Sequence, residues 1–405
     1  MSVFFCSATI HYNPLMFRRD AVAFLVTFFL IALLARQRGV AALLGLVVLA
    51  LFVSERWSRW ALRRVQYERT LDQAYAFVGD DVALTVRVAN PKLVGVPRLR
   101  CTDNVPAKLL YNRPTHPSGQ PATVLLERTT VLRPYEAVSW TIKVTCTQRG
   151  LYNFGPVELT ASDPFGLYER STALAGTVRL IVYPELAALP NLALHSRQPL
   201  GDQRSRRQLF YDPARTVGVR DYEPTDPFKT IHWTATARRG VLQTRVFEPT
   251  TTLEMAILLD LDTFEQYWQG VRPDIVEHLI SAAATVATQA EAGQWSFGLY
   301  ANAGTADSSE LVRLAPSRNP AQLGLILEAL AKVVPYSVVT LPQLLRHTGR
   351  SLPWGATVVV ISAIATPLHR AALLRLAERG RRVLWLYGGE DALPTVPGVV
   401  VQRLD

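Results

Sequence analysis

The sequence predicts three pieces in one chain: an N-terminal transmembrane helical hairpin, an all-β sandwich-like domain, and a C-terminal doubly wound α/β domain. Three observations carry this. Two apolar runs fall within residues 1–65. Short alternating segments broken by Pro, Gly and Asn fill residues 74–184. From Leu253 onward, continuous apolar segments alternate with amphipathic ones. A chain of 405 residues also exceeds one ordinary domain.

The first apolar run covers residues 20–35 and the second residues 40–53, separated by Arg36-Gln-Arg-Gly39. Each is somewhat short of the roughly 20 residues a span needs. Snorkelling Arg side chains and the rings of Phe17, Trp57 and Trp60 are expected to complete them at the interfaces. A cleaved signal peptide is not followed at once by a second apolar run. Arg18 and Arg19 precede the first run, and Arg56, Arg59, Arg63 and Arg64 follow the second. The connecting turn has only Arg36 and Arg38, so the positive-inside rule puts the bulk of the chain in the cytoplasm, at an inner or cytoplasmic membrane. The net charge of +10, mostly arginine, is read as serving an anionic bilayer surface.

In residues 74–184, Val82–Val88 alternates with period two before a turn at Asn90-Pro91. Further strands are expected at Leu99–Asp103, Ala122–Leu126, Ser139–Thr145 and Val157–Thr160, a density that suits a sandwich. Cys101 and Cys146 fall on two of these strands. An inter-sheet disulfide and a pair of small core residues are both open. A cytoplasmic compartment favours the second. With Cys6 they are the only cysteines and show no CxxC spacing, so no zinc site is expected.

Residues 185–217 lack a period and carry Arg197, Arg204, Arg206, Arg207 and Arg215, which reads as an Arg-rich linker. Residues 218–248 are too polar for a core strand and too patterned for a linker. A strand at Val217–Tyr222 is expected, then a turn bracketed by Pro224 and Pro227. A short helix around Lys229–Arg238 would be capped by Asp226 and stopped by Gly240, with a strand at Val241–Phe247 after it. Ile231, Trp233 and Ala237 are the expected packing residues. Arg220, Asp226, His232, Arg238, Arg245 and Glu248 are expected to form a partly buried ion-pair knot around Trp233, with Tyr222 beside it. Arg238 is expected there as the partner of a buried acid.

This stretch resembles the central motif of the bacterial domain-of-unknown-function family 58, roughly R-E-Y-x-x-G-D-x-x-R-x-I-x-W-x-x-[ST]-A-R, then L, then R-x-[FY]-E. Arg220, Tyr222, Asp226, Pro227, Ile231, Trp233, Ala237, Arg238, Leu242, Arg245, Phe247 and Glu248 fit it. Asp221 stands for Glu, Thr225 for Gly and Lys229 for Arg, and the last change loses a planar fork. Arg149-Gly-Leu-Tyr152 with Gly155-Pro-Val157, and Asp163-Pro-Phe-Gly-Leu-Tyr168, resemble two further family runs; both read as turn chemistry. The resemblance implies a membrane-linked protein with a von Willebrand A-like domain. It also implies a MoxR-type AAA+ ATPase as partner, in complex assembly or maturation.

The chain from 249 to 405 is expected to be that domain. Strands are expected at Met255–Leu261, Trp295–Tyr300, Thr357–Ser362 and Arg382–Tyr387, and helices at Pro273–Glu291, Pro320–Val334 and Pro367–Arg379. The resemblance implies a metal site on D-x-S-x-S after the first strand, built from hard oxygen ligands. Here the run is Asp260-Leu-Asp262-Thr-Phe264, and Ser362 is followed by no Asp. The site is degenerate, and no Mg²⁺ or other cofactor is expected.

No phosphate loop, GxSxG, HExxH or nucleotide fingerprint occurs. The leading expectation is therefore a non-enzymatic, membrane-anchored scaffold or adaptor. One alternative is a metal-dependent phosphate-ester hydrolase using Asp226, His232 and Arg238. Another is an anionic lipid or RNA binder using the Arg-rich linker, although nothing in the sequence marks a specific nucleic-acid site.

Overall fold

The computed structural model describes residues 10–13, 19–189, 211–224, 226, 228–249, 254–308, 310–349 and 356–404. The expectations for Phe17, Arg18, Cys6, Arg197, Arg204, Arg206, Arg207, Thr225 and Pro227 lie outside them. The chain divides into two compact units, Met1–Glu185 with Leu327–Val333, and Leu186–Ile326 with Val334–Asp405.

The first unit begins with two apolar helices, α1 (Arg19–Leu34) and α2 (Arg38–Ala61). They touch where Gly45 leaves room for the Phe29 ring. α2 alone among the described helices is long and apolar enough to cross a membrane; the apolar stretch of α1, Val22–Leu34, is shorter. Phe24, Leu34, Leu43, Leu46 and Phe52 all face outward, more than half exposed.

α2 does not stop at Val53. Its last turns bury Ser54, Ser58 and Ala61, an i, i+4, i+7 stripe, against the β-rich part. Trp57 Nε1 donates to the Gly95 carbonyl at 3.1 Å, and Arg170 Nε donates to Ser58 Oγ at 3.2 Å. Lys92 Nζ donates to the Ala61 carbonyl at 2.7 Å and so satisfies one of the orphan acceptors at a helix end. Burial lowers the Lys92 ammonium to about 8. Trp57, expected at a membrane interface, packs instead against the β core, because its indole N–H finds a buried carbonyl there.

The β-rich part starts at Gln66, before the expected Ala74, and forms three sheets. One six-stranded antiparallel sheet centres on Val96–Pro106, Thr123–Leu132 and Val157–Ser162. A four-stranded sheet centres on Asp81–Ala89 and Ala137–Thr145. A three-stranded sheet joins Gly150–Phe154, Val178–Tyr183 and Tyr75–Phe77. The strands run longer than their alternating cores because pairing continues past the apolar positions. Val82, Leu84, Val86 and Val88 alternate inward and share one core with Leu99, Leu159, Phe154 and Leu180. Cys101 and Cys146 are free, buried members of that core, and burial pushes their thiols up to about 12 and about 11.

Arg69 ties the three sheets together. Its Nη2 and Nε donate to both carboxylate oxygens of Asp103, Nε at 3.2 Å, and Nη1 donates to the Phe154 carbonyl at 2.6 Å. Tyr67 Oη donates to Asp103 Oδ2 at 2.6 Å. The Arg69 and Asp103 side chains are 3% and 8% exposed. Gly155 has φ 108°, and a Cβ there would meet the Gly176 carbonyl at 2.5 Å and Arg69 Nη1 at 2.8 Å, so only glycine lets the arginine through. The Asp163-Pro-Phe-Gly-Leu-Tyr168 run is the expected turn. Asp163 Oδ2 accepts from Phe165 N and Oδ1 from Tyr168 N, with Gly166 at φ 70°.

The second unit opens with a strand, Tyr211–Asp221, paired antiparallel with Gln243–Pro249. Residues 211–217, read from sequence as linker, are therefore strand; low hydrophobicity hid a pairing decided by a partner about thirty residues on. A six-stranded sheet follows, in the order Arg313–Ser317, Ser296–Ala301, Glu254–Leu259, Thr357–Ser362, Arg382–Tyr387, Val399–Arg403. All neighbours are parallel except the Arg313–Ser317 edge. In chain order this is 3-2-1-4-5-6, the doubly wound arrangement. α4 (Pro273–Ala292) packs on its central strands. α6 (Leu341–Thr348) and α7 (Pro367–Glu378) join a core with Ala256, Leu258, Val360 and Trp385, and α5 (Gln322–Lys332) lies between α4 and α6 in the chain. α6 and the edge strands Arg313–Ser317 and Val399–Arg403 are absent from the sequence reading, being short and half-exposed.

Replacing Arg69 by Met should strand Asp103 in the interior and cost about 3–5 kcal/mol, read as a fall in unfolding free energy. Adding Asp103→Asn to that variant should recover part of the loss.

Candidate functional site

Polar side chains gather at two places, the motif segment and the carboxyl ends of the parallel strands. In the motif segment the strand Tyr211–Asp221 turns at Tyr222–Asp226, passes a short 3-10 turn at Phe228–Thr230, enters α3 (Trp233–Arg239) and returns as Gln243–Pro249. The interior of this fold-back is Ile231, Gln243 and Thr244, all nearly fully buried. Gln243 Nε2 donates to Asp221 Oδ1 at 2.6 Å, and its backbone N–H donates to Thr236 Oγ1 at 3.0 Å. The Thr230 and Thr244 hydroxyls bond at 2.9 Å. Gln243 and Thr244 are absent from the sequence reading, because polar side chains at adjacent strand positions carry no burial signal.

The cap is not Asp226. His232 caps α3, its Nδ1 accepting from Ala235 N at 3.1 Å, and Gly240 closes the helix in the left-handed region at φ 72°. Asp226 instead closes the preceding turn: Oδ2 accepts from Glu223 N at 3.0 Å and Oδ1 from Arg220 Nη2 at 2.7 Å. The Glu223 amide first, then Arg220, hold its carboxyl below the usual range. Each of Asp226 and His232 is thus committed elsewhere, and they do not form the acid–base pair that a hydrolase reading requires.

The buried knot around Trp233 does not form. Trp233 is 65% exposed and α3 buries none of its residues. Ala237, expected to pack, is exposed as well. Arg238 is exposed and makes no ion pair among the described residues; Arg239 comes only within 3.9 Å of Asp221. Arg245 is exposed beside its strand partner Val219. Tyr222 meets Phe228, ring centroids 5.8 Å apart, while Phe228 itself is 74% exposed. The backbone of Glu248 lies in the return strand, and its side chain is outside the described residues. The physical reason is size: a seven-residue helix over a two-stranded ribbon has no second layer in which to bury a Trp and several charges.

The second place lies where Glu254–Leu259 sits between its parallel neighbours, at the switch point of the sheet. Asp260 is fully buried. Its Oδ1 accepts from Asn302 Nδ2 at 2.6 Å and from Asp262 N at 3.3 Å. Asp262 takes the Ser337 hydroxyl on Oδ1, and its Oδ2 lies 3.4 Å from Asn302 Nδ2. Burial, then the neighbouring Asp262 carboxyl, push Asp260 well above the usual carboxylate range; burial also raises Asp262.

His369, on the first turn of α7, is buried, and its Nε2 lies 3.4 Å from Asp260 Oδ2. Its Nδ1 accepts from Thr366 N at 3.2 Å, so the neutral ring carries its proton on Nε2. Burial lowers the imidazolium to about 4. Neither Asn302 nor His369 stands in the sequence reading, since Asn and His at strand and helix ends have no diagnostic spacing.

These residues do not fit a divalent cation. The Asn302 amide points a donor, not an acceptor, at both carboxylates, and Phe264 offers no ligand. Among the described residues no group of three or more His, Cys, Asp or Glu side chains is placed to hold a metal.

With a folded value near 4 against an ordinary 6.5, His369 resists protonation while the unfolded chain accepts it. Its contribution is therefore intact above 6.5 and is lost as pH falls toward 4. His369→Gln should flatten the stability loss across that window by up to about 3 kcal/mol, measured by chemical unfolding at each pH.

Residues 218–403 match the family model described as "Protein of unknown function DUF58". The "Uncharacterized protein YeaD" of Bacillus subtilis (strain 168) is 29% identical over 121 residues, 29% of this chain and 30% of that relative. The match thus spans less than a third of that relative's length. Among solved structures, the CARDB domain of the PF1109 protein from Pyrococcus furiosus is 17% identical, covering 31% of this chain and 96% of that one, at a TM-score of 0.19. A cohesin module from a Clostridium perfringens family 33 glycoside hydrolase is 8% identical, covering 29% and 96%, at 0.22. Likenesses this slight carry no argument. The motif segment and the doubly wound sheet, by contrast, lie together inside residues 218–403, the part of the chain that matches the DUF58 family model.

Proposed function

We propose that this chain is a membrane-anchored, non-enzymatic adaptor that presents the 218–248 segment to a partner, a MoxR-type AAA+ ATPase. In this reading α1 and α2 form a two-span hairpin in the inner membrane. The Arg residues after α2 hold the bulk of the chain in the cytoplasm. The β-rich part is a sandwich, and the α/β part is a von Willebrand A-like unit.

One observation carries the reading. The motif exposes Trp233 and Phe228 with Arg238 and Arg239 beside them, while its interior is satisfied by Ile231, Gln243 and Thr244. Exposed aromatic and arginine side chains are the composition of binding hot spots. A basic rim of this kind suits an acidic partner surface. Two features argue against a hydrolase: Asp226 and His232 are spent on a turn and a cap, and no other acid–base pair adjoins the segment among the described residues.

Full-length protein, solubilised from its native membranes, should retain a AAA+ ATPase on affinity capture. Trp233→Ala and Arg238→Ala should each weaken that capture at least about tenfold, the scale of a hot-spot truncation. Both should leave thermal stability within about 0.5 kcal/mol of wild type, as exposed substitutions do. Capture of no ATPase by wild type would remove the partner. Loss of stability in Arg238→Ala would remove the exposed-face argument. Protease protection of tags placed in the α1–α2 turn and at the C-terminus checks the topology, and both tags on one side would overturn the hairpin.

A further inference from the structure

The strand-end cluster of the α/β unit involves other residues than the docking proposal. Two carboxylates, Asp260 and Asp262, stand side by side at the switch point of a parallel sheet. Their polar atoms need hydrogen-bond partners there, because buried polar groups left unpaired are costly. The side chain that reaches both is Asn302, while Asp260 Oδ2 has no hydrogen-bond partner among the described residues. Asn302 Nδ2 donates to Asp260 Oδ1 at 2.6 Å and faces Asp262 Oδ2 at 3.4 Å.

The orientation of this amide is fixed. Its Oδ1 accepts the Leu261 backbone N–H at 2.9 Å, and the flipped amide would set donor against donor there and acceptor against carboxylate. Asn302 is itself fully buried. Its backbone N–H donates to the Leu259 carbonyl at 3.1 Å, and its carbonyl accepts from Val338 N at 2.7 Å. The Ser337 hydroxyl completes Asp262 from the same neighbouring segment. One residue thus joins the ends of Glu254–Leu259, Ser296–Ala301 and Val333–Ser337.

A divalent cation at such a position would do the same two things: hold both carboxylates and pin several loops to one point. Here an amide N–H₂ points at the oxygens a cation would bind. The His369 ring lies against the remaining Asp260 oxygen with its N–H side. We infer that Asn302 takes the place of a divalent cation in this chain, so that the strand-end loop Asp260–Phe264 is held in its folded form independently of any metal. The inference does not depend on the docking proposal, because it concerns other residues and a different measurement.

The test uses the full chain in detergent. Wild type is melted in chelator and again in excess Mg²⁺ or Mn²⁺, and Mn²⁺ binding is followed by electron paramagnetic resonance. The expected result is one melting temperature in all conditions and no saturable Mn²⁺ signal. Asn302→Asp keeps the size and the acceptor for Leu261 N but turns a carboxylate toward Asp260. In chelator it should melt about 5 °C or more below wild type. A saturable rise in wild-type melting temperature with metal, or saturable Mn²⁺ binding, overturns the inference. So does an Asn302→Asp chain as stable as wild type in chelator. If that variant cannot be purified folded, the wild-type titration alone decides.

Discussion

The bidentate pair between Arg69 and Asp103 is the contact on which the β-rich part depends. It reaches from the four-stranded sheet to the six-stranded one, and through the Phe154 carbonyl to the three-stranded one. A guanidinium suits this task because its donors are planar, always charged and fixed in a fork. The surroundings are built to admit it: Gly155 keeps a Cβ out of its path, and Tyr67 supplies a further donor to the carboxylate. Burial pushes the Asp103 carboxyl up, while Arg69 and the Tyr67 hydroxyl pull against it. A pair this dry contributes specificity of sheet placement more than net stability, since apolar residues could fill the same space.

The same unit shows how an apolar helix becomes part of a soluble-type core. α2 carries outward-facing Leu and Phe along its first turns and a stripe of Ser and Ala along its last. Small side chains allow close approach, and Trp57, Lys92 and Arg170 lock the contact with hydrogen bonds to the helix or from it. The β-rich part is therefore joined to α2 through one continuous helix whose last turns pack on its core.

The two polar clusters in the second unit differ in what their charges face. In the motif segment, Arg220 and Asp226 shape a turn at the surface, where an ion pair is worth little, and the aromatic rings stand outward. At the strand ends, Asp260 is sealed from water and must be met by neutral donors and a proton-poor imidazole. The first arrangement leaves aromatic side chains exposed at the surface. The second holds a loop in one form.

The sequence by itself determined much of this protein. Period-two alternation at Val82–Val88 and the apolar runs at Thr357–Ser362 and Arg382–Tyr387 marked strands that the structure contains, the last two with the same bounds. Asp-Pro-Phe-Gly marked a turn, and Gly240 marked a helix end. These signals are local: they follow from side-chain period and from backbone angles that only certain residues accept. Only the tertiary structure decided which way Trp233 and Arg238 face, that His232 and not Asp226 caps α3, and that Asn302 lies between two carboxylates. The exposure of Trp233 and Arg238 depends on how much mass lies on the far side of each residue, and the place of Asn302 on partners about forty positions away in the chain; burial of that kind leaves no periodic mark in the sequence.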